Sequence, residues 1–223
     1  MTARGRGARR PAVSLEEGAP PGGPRCPACG EPLFVWIETE GWGPREEQIF
    51  DRCENCGLVA ARDSVPGPEQ AVAELVGSDG NGGAEVAIRA ANGASVQAWL
   101  GAENWAALRP GDRTLKPSPR AIELLLVRRG LEPGRTSFAV AAGMAAMWQT
   151  LLNLLTFHRD FAAQALARRL HPRGAKGRGA YAIDVIVTVL AAVPTAILAV
   201  LIEGAAVLAR RGGVIEVRAR RSG

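Results

Sequence analysis

The sequence predicts a mixed α/β chain with a small cysteine-bearing module near its N-terminal end and hydrophobic helices toward its C-terminal end. Three observations carry that expectation. Two CxxCG pairs lie at Cys26–Gly30 and Cys53–Gly57. Short alternating segments and two amphipathic helical patterns fill residues 66–138. The stretch Ile183–Ile202 then carries a single charge, Asp184.

The cysteine pairs read Cys26-Pro27-Ala28-Cys29-Gly30 and Cys53-Glu54-Asn55-Cys56-Gly57. A two-residue spacer lets both sulfurs of a pair face one ion, and the following glycine tolerates the positive φ that such a turn needs. Between the pairs, Leu33–Glu38 and Gln48–Arg52 read as strands joined by a turn at Gly41-Trp42-Gly43-Pro44. The pattern is that of a zinc ribbon over residues 25–60, with Cys26, Cys29, Cys53 and Cys56 as the ligands. A redox CxxC would need a thioredoxin-like βαβ context, which is missing. A closed four-sulfur site is structural and leaves no open position for catalysis.

Residues 1–24, rich in Arg, Gly and Pro, read as a disordered basic tail. After the ribbon, Glu69–Val76 forms a short amphipathic helix and Ser78–Gly83 a polar turn. Ala84–Ala90 alternates as a strand, with Val86 and Ile88 on one face. Ser118-Pro119 opens a helix closed by Gly130, with Ile122, Leu125 and Leu126 on its apolar face. Arg135–Val140 and Gly213–Arg218 read as further strands.

As a helix, Ile183–Ile202 is roughly 30 Å long, about the hydrocarbon thickness of a bilayer. Arg173, Lys176 and Arg178 precede it and Arg210 and Arg211 follow. A second apolar run, Phe138–Phe157, carries no charge, so residues 139–210 form a membrane-associated helical segment. Pro194 leaves two topologies open: a kinked crossing helix, or a re-entrant hairpin with arms Ile183–Val193 and Thr195–Leu208. Two crossings would place the basic loop Arg159–Arg178 outside, against the positive-inside tendency. In the hairpin arrangement, Arg159–Leu170 lies in the interface with Phe161, Ala165 and Leu166 toward lipid. Gln149 and Asn153 then supply hydrogen bonds to the hairpin tip.

The chain is 223 residues long with a net charge of +5. From Arg159 onward, basic residues far outnumber Asp160, Asp184, Glu203 and Glu216, an excess that favours anionic lipid as partner. Nucleic acid is disfavoured, since no platform of interleaved basic and aromatic residues is present. The N-terminus lacks the apolar core of a secretory signal, so the expected location is the cytoplasmic side of the membrane, where the cysteines stay reduced.

The order Gly82-Gly83, Ala91-Asn92, Ser95, Trp105, Ser118-Pro119, Leu124-Leu125-Leu126, Gly130-Leu131, then RRGGVIEVRAR, resembles the C-terminal half of bacterial class I SAM-dependent methyltransferases that carry a zinc ribbon. The resemblance covers the ribbon and about residues 66–138 and 211–221, and some members of that family place a hydrophobic helical segment just before the last strand. It implies a partial Rossmann-like α/β domain in which Ala84–Ala90, Arg135–Val140 and Val214–Arg218 share a sheet. The last strand is inserted antiparallel between its neighbours and Pro119–Arg129 packs on the sheet. One exposed sheet edge is then left for a partner protein to cover.

The SAM-binding half does not fit. Only LVAARDSVPGP separates Gly57 from Glu69, too little for a strand, glycine loop and helix, and no acidic ribose partner follows. Gly80-Asn81-Gly82-Gly83 precedes a strand rather than opening a helix, and Asp112-Arg113 stands where the family commonly has His-Leu. His158 and His171 read as surface residues, so neither a SAM site nor catalytic residues are expected in the isolated chain. The leading expectation is a membrane-associated, non-catalytic, methyltransferase-like zinc-ribbon protein that binds a partner or a lipid-linked substrate. A methyltransferase active only when a partner chain supplies the SAM site is the alternative. A nucleic-acid adaptor using the basic tail ranks third.

Overall fold

The computed structural model describes residues 23–39, 48–76, 85–108, 113–166 and 174–221. The tail up to Gly22, the turns at Gly41–Pro44 and Ser78–Gly83, Asp112 and His171 lie outside the described residues.

Two sheets form. The first has the order β1 (Phe34–Thr39), β2 (Gln48–Arg52), β3 (Val59–Ala61), β5 (Leu115–Lys116), all antiparallel. The ribbon is therefore extended by two residues from a distant part of the chain. The second sheet has the order β4 (Glu85–Ala91), β7 (Val214–Arg221), β6 (Leu131–Phe138). Here β7 is central and antiparallel to both neighbours, pairing Ile88 with Val217 and Phe138 with Ile215. The last strand is thus inserted antiparallel between two neighbours, the placement expected for it. One boundary moves: the third strand is Leu131–Phe138 rather than Arg135–Val140, because a helix begins at Val140.

One face of the second sheet is covered. Val86, Ile88 and Ala90 of β4 and Ile215, Val217 and Ala219 of β7 meet α1 (Pro68–Val76) and α3 (Pro119–Arg128) through Val72, Leu75, Ile122, Leu125 and Leu126. Each such large aliphatic side chain contributes roughly 1.5–3 kcal/mol on burial. The other face stays polar, with Glu85 exposed and Arg89 3.3 Å from Glu216. A sheet covered on one side alternates apolar and polar residues, as β4 does; a doubly wound sheet buried on both sides would not.

Capping chemistry sets the helix starts. The Ser118 hydroxyl accepts from Ala121 N at 3.0 Å with Pro119 in the first turn, and Gly130 at φ +69° ends α3. Ser95 caps α2 (Val96–Gly101) in the same way, accepting from Ala98 N at 3.1 Å.

Between β6 and β7 the chain makes α4 (Val140–Asn153), α5 (Phe161–Leu166) and α6 (Gly174–Leu208). The run Phe138–Phe157 is thus shared between a strand end and a 14-residue helix, which at about 21 Å is too short to cross a bilayer. The re-entrant hairpin is also overturned, because α6 is one helix of 35 residues that continues through Pro194. The proline removes one N–H, and nearby carbonyls are satisfied from the side. Thr195 Oγ1 donates to Ala191 O at 2.6 Å, and Trp148 Nε1 donates to Ala192 O at 3.0 Å. Gln149 and Asn153, expected to serve a hairpin tip, bond each other at 2.9 Å, and Asn153 Nδ2 reaches Asn104 O at 3.1 Å. Phe161 does not face outward either. It is buried and stacks edge-on against Tyr181 at 5.2 Å.

Candidate functional site

The first knuckle closes with Gly30 N donating to Cys26 O at 2.8 Å, the second with Gly57 N donating to Cys53 O at 2.9 Å. Both glycines have positive φ, +81° and +74°. These turns aim the four thiols inward, so that the Sγ atoms of Cys26, Cys29, Cys53 and Cys56 all lie within 4.8 Å of one another. Across the knuckles, Cys26 Sγ is 3.5 Å from Cys56 Sγ and Cys29 Sγ is 3.4 Å from Cys53 Sγ. A tetrahedral ion with bonds of about 2.3 Å needs sulfurs about 3.8 Å apart, and the cluster fits that set. The four cysteines are positioned to bind a metal ion, and zinc suits a closed four-thiolate set.

Without the ion the thiols compete. The Cys56 thiol hydrogen bond pulls Cys26 down to about 5, while burial pushes Cys53 up to about 11. Cys56 is raised, mainly by its bond to Cys26. A divalent ion removes that competition by holding all four as thiolates.

The cluster belongs to the main core. Cys26, Cys53 and Cys56 share one apolar cluster with Leu58, Ile122 and Ile215. Ser118, the cap of α3, donates its hydroxyl to Cys56 O, and Arg128 donates to Pro27 O at 2.9 Å. At the junction, a Cβ on Gly93 would meet Lys116 O and, at 2.9 Å, Gly57 O.

The residues that carry the methyltransferase resemblance take structural positions. Asn92 Nδ2 donates to Gly212 O at 2.8 Å and fastens the end of β4 to the start of β7. Trp105 is buried in a second cluster with Phe50, Val59 and Leu108, its ring 6.3 Å from Trp36. Arg113 donates to Arg89 O at 3.1 Å. A cleft of about 590 Å³ opens where the ribbon meets the turn after α4, with Glu38, Asp63 and Glu103 on its rim and Arg159 among its lining residues. Burial holds the Arg159 guanidinium below its usual range.

Two acids in the apolar segment prove structural. Asp184 is fully buried and accepts from Phe157 N at 2.8 Å and His158 N at 3.0 Å. His158 Nδ1 lies 2.6 Å from the same carboxylate, so this histidine is a partner of Asp184 rather than a lone surface side chain. Glu203 is also buried, accepting from Gln97 Nε2 and from Gly213 N, both at 2.7 Å. Sequence reasoning counted both acids only as charges. Their spacing from polar groups elsewhere in the chain carries no local signal.

Over Arg178–Leu208 the chain has one helix that is long and apolar enough, by length and composition, to cross a membrane, and only 11% of its most apolar window is buried. That exposure sets it apart from a core helix. In comparison with known proteins, no family model, no characterised protein and no solved structure matches the chain.

Proposed function

We propose that this is a membrane-associated zinc-ribbon protein, built like the back half of a SAM-dependent methyltransferase, that acts by binding a partner or a lipid-linked substrate and not by catalysis. The observation that carries the reading is the short path from ribbon to sheet: β3 ends at Ala61 and α1 begins at Pro68, so no strand–glycine loop–helix unit for SAM intervenes. Supporting the methyltransferase likeness is the central antiparallel β7 between β4 and β6, with α3 packed beneath. Supporting a binding role are four cysteines placed to close all four positions around one ion and a long exposed apolar helix.

A partner-completed methyltransferase is the second reading. The observation favouring it is that, among the described residues, β4 pairs with β7 on one side and with no strand on the other, which leaves an edge for further strands. Calorimetric titration of SAM into the purified, metal-loaded chain tests the proposal. No binding is expected, and SAM-dependent methyl transfer by this polypeptide alone would sink it. Heat of binding that emerges only with a second protein present would select the partner-completed enzyme.

A further inference from the structure

From Asp184 to Ala206, helix α6 presents two unlike faces. Asp184, Thr195, Ala199, Glu203 and Ala206 form a narrow buried stripe, with Thr188 in register, at the three- and four-residue steps of a single helix face. Every polar side chain between Ile183 and Leu208 lies on that stripe. The remaining surface is apolar and exposed: Ile186, Val189, Leu190, Val193, Ile197 and Leu201 are each open over most of their area.

What covers the stripe decides how the helix can meet a bilayer. Near its C-terminal end Glu203 bonds Gln97 of α2, and Ala199 and Ile202 pack with Met147 and Leu151 of α4 and with Val96 and Leu100 of α2. Midway, Trp148 reaches Ala192 O. Near its N-terminal end Asp184 holds Phe157 and His158. From Asp184 to Glu203 is about 29 Å of helix. Over that distance α4 and the turn after it lie against α6, and the ribbon-bearing body lies against α4. Ala106 N donates to Thr150 Oγ1 at 3.1 Å, and Asn153 bonds Asn104 O. The exposed acids Glu38, Asp63 and Glu103 sit beside Phe157 at the cleft. A perpendicular crossing by α6 would pull this body, with its exposed carboxylates, to hydrocarbon depth, which a bilayer opposes.

We infer that α6 lies in the plane of an anionic membrane surface, its apolar face sunk into one leaflet and the body standing in water on the other side. The inference rests on the membrane reading above and specifies its geometry. Charge selects a lipid surface as the occupant of this face: Arg178 before the apolar stretch and Arg210 and Arg211 after it are all exposed, at headgroup level for a helix lying flat.

The test uses the full metal-loaded chain on vesicles of phosphatidylcholine with and without phosphatidylglycerol. Ile186, Val193 and Val200 are seven residues apart and share one face. Single-cysteine variants Ile186→Cys, Val193→Cys and Val200→Cys carry an environment-sensitive dye, the native thiols being shielded by the metal. Quenching by lipids brominated at graded depths then reads each position. All three dyes are expected at one shallow depth, about 5–10 Å into the headgroup and acyl boundary. Val193 at the bilayer centre, with the flanking dyes toward opposite surfaces, would overturn the in-plane geometry and leave membrane association standing. A chain that stays in the aqueous phase as a stable dimer would overturn both. Replacing Arg210 and Arg211 by Gln should weaken binding about fivefold per charge on phosphatidylglycerol vesicles and leave phosphatidylcholine binding unchanged. Equal loss on both would remove the anionic lipid from the inference.

Discussion

Glu203, near the C-terminal end of the long helix, accepts a hydrogen bond at 2.7 Å from Gln97, 106 residues earlier in the chain. The other carboxylate oxygen takes Gly213 N at 2.7 Å, so one side chain ties α6 to both α2 and the entry to β7. Close by, the Gln97 amide nitrogen also reaches Gly143 O at 2.6 Å, and a Cβ on Gly143 would collide with the Glu203 carboxylate. Replacing Glu203 by Leu should strand two buried donors and cost about 2–4 kcal/mol, with Gly143→Ala similarly disruptive. Denaturant unfolding in detergent micelles reads both. Wild-type stability in Glu203→Leu would show that the clasp is dispensable.

The cysteine cluster is part of the main core, so losing a metal ion bound there should not stay local. A purified chain is expected to hold one zinc ion by elemental analysis. Cys53→Ser should abolish retention and lower the melting temperature of the whole α/β body, because Leu58 and Ile122 pack against the same cluster. A ribbon that melted while α3 stayed protected from hydrogen exchange would contradict this.

Acid should release the ion. Each ligand must be a thiolate, so binding expels protons and retention falls as pH falls. In the metal-free fold burial raises Cys53 to about 11, so reloading still expels its proton at neutrality and is expected to keep gaining as pH rises toward that value. Zinc release followed with a colorimetric chelator across a pH series checks the sign.

Asp51 is fully buried in β2, and its only ion-pair partner among the described residues is Arg62, which reaches both carboxylate oxygens at 2.7 and 2.9 Å. The same pairing raises the Arg62 guanidinium above its usual range. Arg62→Met should destabilise the chain by roughly 3–5 kcal/mol by leaving a buried charge alone. Asp51→Asn with Arg62→Met together should cost much less. A thermal-melt double-mutant cycle measures the difference.

Trp148→Phe removes the indole N–H from Ala192 O while keeping the ring, an expected loss of about 1 kcal/mol. In a Pro194→Ala background the regained N–H faces Leu190 O, four residues back, and leaves Ala192 O as it was, so the same substitution should cost about as much. A much smaller cost there would mean that straightening the helix draws Ala192 O away from the indole.

Local chemistry made much of this legible. The two CxxCG knuckles need only neighbouring residues, so the four cysteines, their inward turns and the glycine φ values follow directly from spacing. Ser118-Pro119 and Gly130 bracket α3 for the same reason, and the alternation of Val86, Ile88 and Ala90 marks the covered face of β4. The apolar length of α6 is a composition statement and held as one.

The placement of these parts was not legible. A proline inside an apolar run permits either a break or a continuous helix. The helix continues, and the bonds that Trp148 and Thr195 make to carbonyls beside the proline appear only in the folded chain. Phe161 reads as lipid-facing until Tyr181 is seen against it. Asp184 and Glu203 look like costs in an apolar helix, and become clasps only because His158, Gln97 and Gly213 arrive from other elements. Knuckles, caps and periodicity act within a few residues and are written where they act. A buried acid or an interrupted helix is stabilised by groups brought near through packing, so its sign is set only once the chain has folded.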